Sequence, residues 1–249
     1  MTGITVTEFN SADAQTFEQI IGAGDSEAKA RWLRTAAEHG VIEAQVHYAQ
    51  MLLDGRGVES DPPEAFEWFR KAAGQGHAMA RNMLGRCYEN GWGVEPDMLL
   101  ATYWFRLAAH SGLDWGMYNY ATSLALGRGV ETNHDEAMMW LQQATALGHV
   151  KSWNLLGGFY EDGWACEANK ETALTCYRKA AEGGDFRGQF NVGRLLSEAE
   201  ELEEALTWFR KAYNNPSATD AFRKKMRHFL KESPHRELRN LGQELHRAV

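Results

Sequence analysis

Residues 78–110 read AMARNMLGRCYENGWGVEPDMLLATYWFRLAAH, two apolar-periodic segments joined by a glycine-rich corner. In the first segment Leu84 and Tyr88 stand four apart, and the small residues Ala80 and Gly85 permit close helix approach. Gly91 suits the left-handed conformation that ends a helix. Asp97 suits the N-cap of the next one, because its carboxylate accepts backbone N–H groups left without a partner. Ala101, Trp104, Phe105 and Ala108 then form an apolar stripe at helical spacing, which Gly112 closes. The stretch predicts an antiparallel helix pair.

The same phrase recurs on both sides. DGRGVES, NGWGVEP, LGRGVET and DGWACEA begin at Asp54, Asn90, Leu126 and Asp162. Glycines 40, 76, 112, 148 and 184 keep a step of 36, as do Trp32, Trp68, Trp104 and Trp140, with Cys176 in the fifth place. Trp208 follows only 32 residues after Cys176, so the loop before the last unit (LSEAEELEEA) is four residues shorter and lacks the glycine phrase. The N-cap position repeats as Asp25, Asp61, Asp97, Asn133 and Asn169. A fixed period of this size indicates stacked units that share one continuous core.

At these residues the chain resembles the Sel1-like repeat, a relative of the tetratricopeptide repeat with a longer unit. The shared pattern is Ala-x3-Leu/Tyr-Gly/Ala-x2-Tyr/Leu-x2-Gly-x-Gly-Val, then Asp-x3-Ala-x2-Trp-Phe-x2-Ala-Ala-x2-Gly-His. It departs at Lys29, at Ala165 and Cys166, and in the shortened last unit. The resemblance implies an all-α, right-handed α-solenoid of antiparallel helix pairs with a 36-residue period. Residues 25–212 are read as the solenoid, 1–24 as an N-terminal capping helix and 213–249 as C-terminal capping helices. In that last segment Phe222, Met226, Phe229 and Leu230 form one stripe and Leu238, Leu241 and Leu245 another.

Composition narrows the function. The net charge is −8, but residues 217–249 carry +4 and the remainder −12, so an acidic body disfavours nucleic acid. Only the basic tail, with Arg223, Lys224, Lys225, Arg227 and Lys231, offers a rival nucleic-acid surface. No apolar run approaches the roughly 20 residues that cross a bilayer. The start, MTGITVTEFNSADAQ, has no secretory pattern, and three cysteines make a disulfide framework unexpected. A cytoplasmic, bacterial protein is the expectation.

Chemistry is hard to find. The glycine phrase lacks the Lys-Ser/Thr of a phosphate loop and follows helices rather than strands, so it reads as a structural turn. His77 and His149 share one repeat slot, and neither His-Glu-x2-His nor Cys-x2-Cys occurs, so no metal or cofactor is expected. Cys87, Cys166 and Cys176 occupy core or small-residue slots. Some secreted Sel1-like proteins pair cysteines across each helix pair and have been associated with beta-lactamase activity, but that paired pattern is missing here. No catalytic residue is assigned, and an accessory or hydrolytic enzyme remains the alternative to an adaptor.

In related tetratricopeptide arrays the first helix of each pair lines the concave surface. That resemblance places three rows inward: Val46, Asn82, Tyr118, Asn154 and Phe190; Gln50, Arg86, Thr122, Gly158 and Arg194; Leu53, Glu89, Ala125, Glu161 and Ser197. Asn82, Arg86, Glu89, Tyr118, Thr122, Asn154 and Arg194 are the candidates for holding a peptide or protein segment. Asn offers donor and acceptor together, and Arg a fork for carboxylate. Arg56, Trp92, Arg128 and Trp164, between the glycines of the four corners, are secondary candidates that should line one edge.

Overall fold

The computed structural model describes residues 26–247, so the expected capping helix at 1–24 and the N-cap Asp25 lie outside the described residues. Two units divide the chain, one ending at Thr132 and one beginning at Asn133. The first holds α1 (Ser26–Glu38), α2 (Ile42–Asp54), α3 (Pro62–Gly74), α4 (Ala78–Asn90), α5 (Met98–His110) and α6 (Asp114–Leu126). The second holds α7 (His134–Ala146), α8 (Val150–Asp162), α9 (Lys170–Glu182), α10 (Phe186–Glu198), α11 (Leu202–Asn214), α12 (Asp220–Lys231) and α13 (Arg236–Arg247). No strand occurs among the described residues. The fold is an all-α solenoid of helix pairs.

The helix boundaries follow the repeated residues. Asp61, Asp97, Asn133 and Asn169 are N-caps whose side chains accept from Glu64, Leu100, Glu136 and Thr172 N–H at 2.9, 3.0, 3.1 and 2.9 Å. Such a cap is worth about 1 kcal/mol. At the other end Gly55, Gly91, Gly127 and Gly163 are all left-handed, with φ of 64°, 73°, 64° and 73°. Their N–H groups donate back to Met51, Cys87, Ser123 and Phe159 carbonyls.

The second glycine of the corner has a different reason. A Cβ on Gly57, Gly93 or Gly129 would collide with the backbone carbonyl of Ser26, Pro62 or Met98. Each corner in the first unit therefore seats directly on the start of an earlier helix. Thr102 adds a side-chain bond of the same kind, its Oγ1 donating to the Arg128 carbonyl at 2.6 Å. Ala165 occupies the matching position in the second unit with φ 60°, a conformation that costs an L-residue about 1 kcal/mol.

The repeated alanines, leucines and aromatics form the core. In the first unit Leu33, Tyr48, Leu52, Phe69, Leu84 and Cys87 are at most 2% exposed and belong to one cluster. In the second, Leu196, Phe209, Met226, Leu230, Leu238 and Leu241 do the same. Met226 and Leu230 come from α12, and Leu238 and Leu241 from α13, so the C-terminal hairpin shares the core of the helices before it. Tyr213 reinforces this by donating its hydroxyl to the Leu245 carbonyl at 2.9 Å.

Candidate partner-binding faces

The first N–H groups of the glycine corners are already used within the chain. Arg56, Trp92, Arg128 and Trp164 N–H donate to Met51, Cys87, Ser123 and Phe159 carbonyls at 3.1, 3.0, 3.0 and 2.9 Å. A phosphate cradle needs those donors free. The side chains divide by type. Arg56 is exposed and pairs with Asp54 at 2.6 Å, and Arg128 is exposed. Trp92 is half-buried against the first core, beneath Arg86 at 4.9 Å. Trp164 is half-buried and stacks on His134, centroids 4.6 Å apart and planes within 4°.

In the first unit the row residues sit on α4 and α6. Asn82 is only 3% exposed, and its Oδ1 accepts from Asn119 Nδ2 at 2.8 Å. Asn119, half-buried, carries this pair toward solvent. Tyr118 meets Trp115 edge-on at 6.4 Å, and Thr122 Oγ1 donates to the Tyr118 carbonyl at 2.8 Å. Arg86 and Glu89 are half-buried, and Arg86 makes no ion pair among the described residues.

The second unit repeats the motif on α8 and α10. Asn154 Oδ1 accepts from Asn191 Nδ2 at 2.9 Å, and both residues are half-buried. Neither Asn119 nor Asn191 stood among the sequence candidates. The signal was present: each follows its partner by 37 residues, one more than the repeat, and the two pairs are 72 apart.

Arg194 departs from the expected role. Its guanidinium contacts Glu161 Oε2 at 2.5 Å and Glu198 Oε1 at 2.9 Å, so the fork read for a partner's carboxylate is occupied within the chain. Tyr177 donates to the same Glu161 oxygen at 2.8 Å, and Lys170 reaches Glu198 at 2.7 Å. Burial pushes the Glu161 carboxyl up, but the Arg194 and Tyr177 hydrogen bonds outweigh it and hold the group below the usual carboxylate range. Phe190 packs on Phe209, Phe222 and Phe229, which makes it part of the core.

Other ionisable groups have structural partners. His77 Nδ1 accepts from Ala80 N–H at 3.2 Å, and His149 Nδ1 lies 2.9 Å from Ser152 Oγ. Burial raises the Cys87 and Cys176 thiols to about 12 and about 11. Among the described residues no group of three or more His, Cys, Asp or Glu is placed to hold a metal. In the basic C-terminal hairpin Arg223 donates to the Tyr213 and Asn215 carbonyls, Arg227 to the Tyr213 hydroxyl and Arg239 to Ser233 and Pro234 carbonyls. Much of that charge fastens the hairpin. Among the described residues no helix is long and apolar enough to cross a membrane.

Stacked helix pairs with a repeated core define a helical-repeat protein of the solenoid class. The Sel1 repeat model matches residues 42–77, 78–113, 116–149, 154–185 and 187–217, and the chain belongs to the Sel1 repeat family. Sel1 repeats generally mediate protein–protein interaction and are generally not enzymes. A protective antigen of uropathogenic Escherichia coli with an SLR fold is similar at 28% identity and a TM-score of 0.70. That likeness covers 90% of this chain but 48% of the antigen, so the chain spans about half its length. A Sel1 repeat protein from Oxalobacter formigenes has a TM-score of 0.74 at 24% identity, over 95% of this chain and 98% of that one. An immunity protein from Pseudomonas aeruginosa shares the fold at 20% identity and a TM-score of 0.52, over 84% and 82% of the two chains.

Proposed function

We propose that the chain is a non-catalytic adaptor that holds an extended peptide or protein segment along its first-helix rows. The carrying observation is the pair of side-chain amide bridges, Asn119–Asn82 and Asn191–Asn154. Each bridge uses one donor and one acceptor. The Asn154 Nδ2 group and the Asn119 and Asn191 side-chain Oδ1 atoms make no other hydrogen bond among the described residues. A peptide group presents the complementary acceptor and donor, so a pre-oriented amide pair matches a backbone. In the first unit the contact passes from Asn82 to Asn119, because Asn82 lies beneath the surface. Tyr118 and Thr122 flank it, and Arg86 and Glu89 supply charges of both signs. Arg194 joins only where a partner's carboxylate exchanges with Glu161 or Glu198.

The immunity protein among the similar structures suits such a binding role. The thiols, two of them buried and weakly acidic, suit a reducing compartment such as the cytoplasm. The hairpin α12–α13 is proposed to cap the C-terminal end of the repeats.

The test is affinity purification with mass spectrometry on the wild type and on an Arg86→Ala, Asn119→Ala, Asn154→Ala triple variant that keeps its helical circular dichroism. A reproducible protein partner lost from the variant is expected. A partner retained by it would sink the assignment. Turnover of any substrate abolished by changing one ionisable residue would overturn the non-enzymatic reading.

A further inference from the structure

Three helices of the repeat serve as controls for α5, which departs from them. In α3, α7 and α11 the framework tryptophan is shielded by a glutamate one turn earlier. Trp68, Trp140 and Trp208 Nε1 donate to Glu64, Glu136 and Glu204 at 3.0, 3.2 and 3.1 Å. In α3 and α11 a lysine also lies over the ring, Lys71 at 3.9 Å and Lys211 at 4.2 Å. In α5 both shielding positions are leucines, Leu100 and Leu107. The Trp104 indole N–H makes no hydrogen bond among the described residues, and its ring is half-buried.

The rest of the face follows suit. Leu99 is 70% exposed, Leu100 40% and Tyr103 45%. The first turn of α5 has no acidic residue, whereas α3, α7, α9 and α11 each have at least one there. A cavity of about 140 Å³ opens beside Leu99 and Tyr103, and Arg106 is the one charged residue lining it. Arg106 leans over Tyr103 at 5.9 Å and makes no ion pair among the described residues.

We propose that this outer face of α5 is a second docking surface, for a protein segment with leucine-sized apolar side chains next to a carboxylate. Beside the Tyr103 hydroxyl the face offers a donor, the Trp104 N–H, and a cation, Arg106, while the N-cap Asp97 is engaged with the Leu100 N–H at 3.0 Å. The complement is an apolar surface bearing acceptors and negative charge. The same face of a second copy does not satisfy it, since Leu99, Leu100, Tyr103 and Leu107 bring no carboxylate to Arg106. Small apolar patches are common on proteins. This one is distinguished by Leu99, Leu100 and Leu107 on one helix, where α11 carries Glu203, Glu204 and Lys211.

The test pans a phage-displayed library of random 12-residue peptides on the purified full chain. Enriched sequences pairing Leu, Ile or Met with Asp or Glu are expected, and they should shift the Trp104 indole ¹H–¹⁵N resonance. Leu100→Glu should weaken them roughly tenfold or more. The variant should melt no lower than the wild type, because it restores the acceptor found in α3, α7 and α11. Tyr103→Thr, which copies Thr175 and Thr207, is a second variant with the same expected loss. Asn154→Ala should leave this binding unchanged, which separates it from the row proposed above. No enrichment, basic sequences, or equal binding to both variants overturns the inference. So does self-association by light scattering that Leu100→Glu abolishes, because a second copy would then be the occupant.

Discussion

A single methyl group separates the two kinds of corner position. At Gly129, φ is 65° and a Cβ would strike the Met98 carbonyl, so Gly129→Ala should lower stability by roughly 2–3 kcal/mol in urea unfolding. At Ala165 the same slot already holds a methyl at φ 60°. There Ala165→Gly should raise stability by a few tenths to about 1 kcal/mol, the entropy of a freer unfolded chain offsetting part of the relief. Both glycines of the phrase were legible in the sequence as turn residues. That the second is fixed by close approach was not, because the carbonyl it meets lies 31 residues earlier on another helix. The residue between them was legible only as an alternation. Its arginines point out and its tryptophans lie half-buried, which depends on Arg86 and His134 rather than on the turn.

Between helices, the asparagine bridges carry the most information. Helices α8 and α10 are joined by Asn191 to Asn154 at 2.9 Å. A double-mutant cycle with alanine at both positions should give a coupling of about 0.5–1.5 kcal/mol by urea unfolding, and no coupling would remove the bridge. Reading along the 36-residue step finds Asn82 and Asn154 but steps past Asn119 and Asn191. Contact between successive first helices joins neighbouring slots, and a strict period conceals such a diagonal. The capping asparagines and aspartates were legible for the opposite reason, since each acts on N–H groups only three residues away. Tyr177 fell in a core slot, and nothing in its spacing announced that its hydroxyl would reach Glu161.

Across the molecule, acid response should concentrate on Glu161. Its folded-state carboxyl lies below the ordinary range, so the stabilisation is present at neutral pH. It is lost as pH falls from about 4.5 through the folded value, where the unfolded chain binds the extra proton. Arg194→Met removes the partner while the carboxylate stays mostly covered, its side chain 15% exposed. The penalty should be roughly 2–4 kcal/mol at pH 7 and shrink toward pH 3, measured by urea unfolding at both values. An unchanged penalty would show that packing, not charge, is what Arg194 supplies.

The seating of each corner also gives the first unit a direction in time. Gly57 closes on Ser26, Gly93 on Pro62 and Gly129 on Met98, always on chain made earlier. A ribosome delivers the residues in that order, so each new corner emerges to find its platform already synthesised. No corner waits for a segment still to be translated, and assembly of this unit can keep pace with its own birth.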